Sequence, residues 1–368
     1  MDALLEQVQT LAVQADHATR HKVLSMLRSL QLRLETPHDT LSRYSGLHLE
    51  IAAVRIAEDL GIFQALSGST GPLTTAELAS KNGASPLLLW PDAFTANALT
   101  KTLSQPGYRG GIYHFFDNCG PVFQALPSFL AESKYQDVTD AAHTAFQKAF
   151  PTELPAFMWL PTQTQRFEFL QQVMTVQGAD GIPWFSVFPL EKQLTGFDGQ
   201  YVLIDVGGGF GHQCAALLGT YQQLKGKLVL QDLPPTLNNL SPGVSIPAGV
   251  KVIPHDFFQE QPIKGARFYY QRNILHDWPD DKCVTILKQL SAAFGPDSQI
   301  LIDEMVLPDA GVAWEAATVD LTMMSSLGSR ERTLQEWHAL LDKAGLKALY
   351  TYTYIHRRMD SIIHVALK

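Results

Sequence analysis

Leu203-Ile204-Asp205-Val206-Gly207-Gly208-Gly209-Phe210-Gly211 runs from an apolar strand directly into a cluster of glycines. A buried strand followed by a turn that tolerates positive φ is what the first strand-to-helix connection of an open α/β sheet requires, and such sheets bind ligands beyond the carboxyl ends of their strands. The dinucleotide fingerprint would place a third glycine where His212 stands, whereas the last glycine here comes one residue earlier. No P-loop lysine follows, which argues against a nucleoside triphosphate. Downstream, the apolar runs in KLVLQDL (227–233), KVIPHDFF (251–258), ARFYYQRNIL (266–275) and SQILIDEMVL (298–307) alternate with helical stretches such as DDKCVTILKQLSAAF (280–294). Strands that read as continuous apolar runs are covered on both faces, so the chain from about Tyr201 onward predicts a doubly wound, largely parallel α/β sheet.

Upstream the grammar differs. Leu4, Leu5, Val8, Leu11 and Val13, then Val23, Leu24, Met26, Leu27 and Leu30, recur at helical spacing until Pro37, and their apolar faces need a partner from another helix or another subunit. LSRYSGLHLEIAAVRIAEDLGIFQAL (41–66) is a second helical stretch, and Thr74 with Glu77 three residues later caps a third. Short helices in series predict a winged-helix-like α domain. The expected division is a helical domain over 1–130, a helical linker over 131–195 lining a substrate pocket, and the α/β domain over 196–368.

Composition narrows the function classes. Of 368 residues 46% are hydrophobic, and 28 Lys+Arg against 36 Asp+Glu leave a net charge of −8 with no basic cluster, which argues against nucleic acid or an anionic membrane as partner. Cys119, Cys214 and Cys283 stand far apart with no CxxC or zinc spacing, so neither a disulfide framework nor a structural metal is expected. The first residues carry acids and lack a signal peptide's apolar core, and no stretch reaches the ~18–20 apolar residues of a membrane span. The expectation is a cytoplasmic enzyme acting on a small molecule.

Chemistry-bearing residues gather at the predicted strand ends. Asp232 follows LVLQ and Asp256 follows KVIPH; a carboxylate at the first position can accept from both ribose hydroxyls, one at the second from an adenine amino group, with Phe257 over the adenine face. Each is alternatively a helix N-cap or turn acid. Arg272-Asn273-Ile274-Leu275-His276-Asp277-Trp278-Pro279-Asp280-Asp281 follows the fourth strand. With an ordinary pKa of about 6.5, His276 is suited to remove a phenolic proton, although a lone histidine is more often structural. Glu304, ending SQILIDE, and Glu331, in SRERTLQEW (329–337), could each accept the other imidazole N–H and fix its tautomer; Glu331 could equally be an exposed acid near a helix start.

On these residues the chain resembles the class I S-adenosylmethionine-dependent O-methyltransferases of the caffeic-acid type, in particular their fungal natural-product branch. The likeness runs from LETPHDTLSRYSGLHLEIAAVRIAEDLGIF (34–63) through FDNCGPVFQALPSFL (116–130) and LIDVGGGFGHQC (203–214) to RNILHDWPDDKC (272–283) and ERTLQEW (331–337). The resemblance implies a Rossmann-like domain binding S-adenosyl-L-methionine, an N-terminal winged-helix-like dimerisation domain, a homodimer and a phenolic or enolic secondary metabolite, aromatic or polyketide-like, as acceptor. It implies no metal, because the reaction is direct displacement at a sulfonium methyl. By position it assigns Asp205, Gly207 and Gly209 to the methionine part of the cofactor, Asp232 to the ribose, Asp256 and Phe257 to the adenine, and Arg272 as a further cofactor contact. It assigns His276 as base with Glu304 and Glu331 orienting it. The acceptor is expected between the halves, with Phe157, Trp159, Phe167 and Met324 as candidates and Met174, Trp184, Asn273 and Met323 as the substrate-binding set.

One departure stands out. Leu89-Trp90-Pro91-Asp92 passes directly to AFTANALT, where relatives continue the helix and add a short wing; Pro91 stops the helix, and the loss amounts to roughly eighteen residues. Two other readings of the chain follow: a pericyclase or dehydratase on the same scaffold, using Arg272 and His114 as charge donor and acid or base, and a catalytically silent binding subunit.

Overall fold

The computed structural model describes residues 2–89, 92–176, 182–238 and 245–368. Trp90 and Pro91, the expected point of shortening, lie outside the described residues. The chain forms two compact units, Met1–Pro121 with Leu160–Gln177, and Val122–Trp159 with Gly178–Lys368. The expected linker is therefore divided: its central part belongs to the first unit and its two ends to the second.

The first unit is helical. Its second helix, His17–Leu34, starts at Asp16, whose carboxylate accepts the Thr19 N–H at 2.7 Å. The third, Pro37–Asp59, starts on a reciprocal capping box between Thr36 and Asp39, with proline at the first helical position where its missing N–H costs nothing. Thr74 and Glu77 form another such box at the start of Thr75–Asn82. Just before it, β1 (Leu73–Thr74) pairs antiparallel with β2 (Ala93–Phe94), Leu73 opposite Phe94. The helices Pro106–Tyr113 and Thr164–Met174 pack at very short range because Gly110 has no side chain; a Cβ there would sit 2.3 Å from Gln172 Cβ. Toward the N-terminus the apolar stripe remains open: Leu11, Val13, Leu24, Met26, Leu27 and Leu30 are all exposed. A groove of about 410 Å³ runs between the first two helices, lined by Val8, Leu11, Val23, Leu27 and Leu30 among others.

The second unit is built on an eight-stranded sheet made of β3 (Leu203–Val206), β4 (Leu228–Asp232), β5 (Val250–Pro254), β6 (Phe268–Arg272), β7 (Gln299–Leu307), β8 (Arg332–Thr333), β9 (Leu346–Ile355) and β10 (Asp360–Leu367). The order is β5-β4-β3-β6-β7-β10-β9, with β8 beside the end of β7. The first six strands run parallel, and β10 is antiparallel to both its neighbours. Alternate residues serve opposite faces. Ile204, Tyr269 and Ile300 pack with Leu287 and Trp337 on one side, while Leu203, Phe268, Tyr270 and Leu301 pack with Trp184 and Phe188 on the other. Both faces are thus covered, as the uninterrupted apolar runs require. The order reverses beside β3, which places a topological switch point at the glycine turn. A third cluster joins Val122, Phe129, Phe146 and Phe150 to Leu327. Among the described residues no helix is long and apolar enough to cross a membrane.

Candidate functional site

At the switch point the backbone is shaped for close approach. Gly207 sits at φ +75°, and a Cβ there would lie 2.6 Å from the Ile274 Cδ1 atom; Gly209, at φ +57°, has open space where a side chain would be. The N–H groups of Gly207 and Gly208 donate to Gln231 O, at 2.8 and 3.1 Å. The Asp232 carboxylate, ending β4, accepts from Gly209 N–H at 2.8 Å and from Leu233 N–H at 2.7 Å, while burial raises its pKa. Asp232 is therefore a turn acid as well as a candidate ligand, since each oxygen keeps a lone pair. Asp205 is 1% exposed, accepts the Cys214 thiol at 3.6 Å and is pushed up to about 7 by burial. Asp256 accepts Phe258 N–H at 3.0 Å, and the neighbouring Phe257 ring lies beside the Gly207 turn. The fold brings this series, together with Arg272 at the end of β6, to the carboxyl edge of one sheet.

His276 follows on a single 3-10 turn, Leu275–Asp277. Its Nδ1 lies 2.7 Å from Glu331 Oε1 and 3.8 Å from Glu304 Oε2, and its Nε2 is 3.4 Å from Asp277 Oδ1. The two glutamates, interchangeable in the sequence, differ in the structure. Glu331 takes the imidazole; Glu304 uses Oε1 to accept three consecutive main-chain N–H groups, of Ile274, Leu275 and His276, at 2.9, 2.8 and 3.3 Å. Both side chains are fully buried, which excludes the exposed-acid alternative for Glu331, and among the described residues each has an Oε2 without a hydrogen-bond partner. Burial pushes Glu304 up to about 7 and Asp277 up to about 6. For His276 burial works against the charged form, but the attraction of Glu304, Glu331 and Asp277 outweighs it and holds the imidazolium well above its ordinary range. His276, Glu304 and Glu331 also offer ligand atoms within 4.8 Å of one another, a donor set able to hold a metal ion, although the 2.7 Å contact satisfies two of them directly.

Sequence reasoning missed Arg332. Its guanidinium is 1% exposed, donates to Leu275 O and Trp278 O at 3.0 Å each, and pairs with Asp280 at 3.0 Å, so it grips the turn on both sides of His276. Position next to Glu331 was the only available signal. Of the expected acceptor contacts, Trp184 is fully buried, stacked on Tyr270 with ring centroids 5.1 Å apart; it is core in this structure and presents no surface to a substrate. Met323 packs against the Phe146 cluster, as does Trp159. Phe157 is exposed in the second unit, while Phe167 and the exposed Met174 belong to the first. Asn273 adopts φ +51°, an uncommon conformation for a non-glycine, and its N–H donates to Asp303 O at 3.2 Å. His114 lies in a π-helical turn of the first unit, 2.9 Å from Asn118 Nδ2, with burial pushing it down to about 4. The cavity lined by Leu194, Val202, Tyr221 and Lys227, about 330 Å³, lies by the amino ends of β3 and β4, away from these groups.

A parallel sheet with a glycine turn at its switch point and a buried histidine–carboxylate pair one strand away is consistent with a Rossmann-like methyltransferase. Comparison makes the class specific: a family model described as an O-methyltransferase domain matches residues 135–347, and the chain belongs to that family. Demethylsterigmatocystin 6-O-methyltransferase of Aspergillus flavus is 38% identical over 384 aligned positions, covering 100% of this chain and 98% of its own. That match spans 16 positions more than the 368 residues here, so this chain lacks residues that the relative carries. A solved structure described as a pericyclic reaction enzyme superposes with a TM-score of 0.94 at 36% identity, covering 100% of this chain and 99% of that one. The LepI complex with SAM gives a TM-score of 0.94 at 37% identity, covering 100% and 98%.

Proposed function

We propose that the chain is an S-adenosylmethionine-dependent O-methyltransferase acting on a phenolic or enolic hydroxyl of a secondary metabolite, with His276 as general base. The observation that carries this reading is the 2.7 Å contact between His276 Nδ1 and the buried Glu331, at the same sheet edge as the glycine turn. With Nδ1–H committed to Glu331, Nε2 is the atom left to take the acceptor's proton. Glu304 fixes the main chain on which His276 is carried.

The residues present fit the cofactor. The absent side chain at Gly209 leaves room against the backbone, Asp205 and Arg272 supply opposite charges for a zwitterionic amino-acid end, and Asp232 and Asp256 supply acceptors for ribose and adenine. When bound, S-adenosylmethionine supplies an electrophilic methyl group. The chain's own work is to align the acceptor and hold its proton at Nε2. The helical unit is read as a winged-helix-like dimerisation domain, on the support of its exposed leucine stripe and the two-stranded β1–β2 ribbon. The working enzyme is then a cytoplasmic homodimer.

The test is incubation with methyl-labelled S-adenosylmethionine and a panel of phenols and enols. Label in the product and release of S-adenosylhomocysteine are expected; conversion of an acceptor with the cofactor intact would reject methyl transfer. That second outcome is the pericyclase or dehydratase reading, favoured by the likeness to a pericyclic reaction enzyme and by an imidazolium held charged.

A further inference from the structure

Arg272 is a mostly buried cation whose donors are unspent. Its side chain is 16% exposed, and its ion pair is with Asp303 at 3.7 Å, beyond hydrogen-bond reach. Among the described residues its guanidinium makes no hydrogen bond. The separation has a visible cause. Arg272 and Asp303 are direct cross-strand partners on β6 and β7, so their side chains share a face and could meet. Instead two phenols fix the Asp303 carboxylate, one on each oxygen, Tyr270 Oη donating to Oδ2 at 2.5 Å and Tyr354 Oη to Oδ1 at 2.7 Å, and in that orientation it stands 3.7 Å from the guanidinium. Asp303, Tyr270 and Tyr354 are all buried.

We propose that Tyr270 and Tyr354 are positioning residues that hold Asp303 back from Arg272, so that the counter-ion stabilises the guanidinium without using its donors, and that these donors take the carboxylate of the cofactor's amino-acid end. Were Asp303 free to turn, its remaining lone pairs would let it take Arg272 in a bidentate pair, and the N–H fork would be consumed internally. The surrounding charges define the ligand further. Asp205 and Asp360 also face this layer, and Arg358 pairs with Asp360 at 3.2 Å. An acid-rich layer with one available guanidinium suits a zwitterion and repels a phosphate. The inference rests on the cofactor assignment above.

The test is calorimetric titration of the full chain with two ligands, S-adenosylhomocysteine and 5′-methylthioadenosine, which lacks the amino-acid end. Tyr354→Phe keeps the ring and removes one donor; it is expected to weaken S-adenosylhomocysteine about tenfold and to leave methylthioadenosine within about twofold. Tyr270→Phe acts in the same direction. Asp303→Asn added to Tyr354→Phe removes the competing charge and is expected to restore much of the lost affinity. Equal weakening of both ligands, or no weakening of either, overturns the positioning role while leaving the cofactor assignment standing. Wild-type chain that binds neither ligand overturns the assignment itself, and this inference with it.

Discussion

His276 carries the charge problem of the site. Three acids surround one imidazole in a buried space, and the imidazolium is correspondingly favoured. A general base works only once deprotonated, so kcat/KM is expected to rise with pH, with a midpoint above the ordinary histidine value of about 6.5. Glu331→Gln removes one of the attractive charges and so lowers the histidine's pKa. The acid limb of the profile should move to lower pH while the plateau falls, because an amide holds the tautomer less well. A pH–rate series on both proteins checks this, and an unmoved limb would uncouple Glu331 from the base. The histidine and its two glutamates were legible as residues in the sequence. Their division of labour was not, because it depends on which carboxylate meets three main-chain N–H groups and which meets a ring nitrogen. Trp184 shows the opposite limit: an aromatic in an apolar segment reads the same whether it lines a pocket or stacks on Tyr270 inside the core.

At the level of elements, the sheet was readable because its buried strands are short apolar runs and the turns after β3, β4 and β5 carry glycine or an acid. The grip on the 275–278 turn was not, since Arg332 reaches it across more than fifty positions of sequence. Arg332→Met keeps the apolar stem and removes the charged donor from Leu275 O and Trp278 O, leaving Leu275 O to Trp278 N–H and Cys283 Sγ, and Trp278 O to Ser329 Oγ and Cys283 Sγ. Turnover is expected to fall tenfold or more with S-adenosylhomocysteine affinity within about twofold, and stability by about 2 kcal/mol as two charge-assisted hydrogen bonds and a half-buried ion pair are lost. Steady-state kinetics beside calorimetry separate the two effects; equal loss of both would make Arg332 a general scaffold residue. β8, only two residues long, is what aims this arginine, and two-residue strands leave no periodic signal to read.

For the whole molecule, the exposed leucine stripe argues that the single chain is not the working unit. Its mass in solution is expected near twice 40.7 kDa. Leu27→Glu, at an exposed position of the groove, should shift that to the monomer, because a charge in an apolar interface is desolvated without a partner. Light scattering at micromolar concentration checks both, and a monomeric wild type would contradict the role given to these helices. The expected three-part division illustrates what a linear reading misses. Composition changes near Tyr201, but packing does not respect that point: Trp184, Phe185 and Phe188 cover one face of the sheet, and Phe146 packs in one cluster with Leu327.

The interleaving of the two units has a consequence for how this protein can be taken apart or recombined. The polypeptide passes from the first unit to the second, back again, and forward once more. No single cut releases either unit whole. Segment 196–368 expressed alone would lack the aromatic lid over Leu203 and Phe268 and is expected to be insoluble or molten, as judged by loss of near-ultraviolet dichroism. A chimera built by one crossover near 196 would join two mismatched halves of a core. Grafting a relative's acceptor specificity onto this chain therefore calls for paired exchanges, with 122–159 travelling together with the helix Trp314–Leu327 that it packs on.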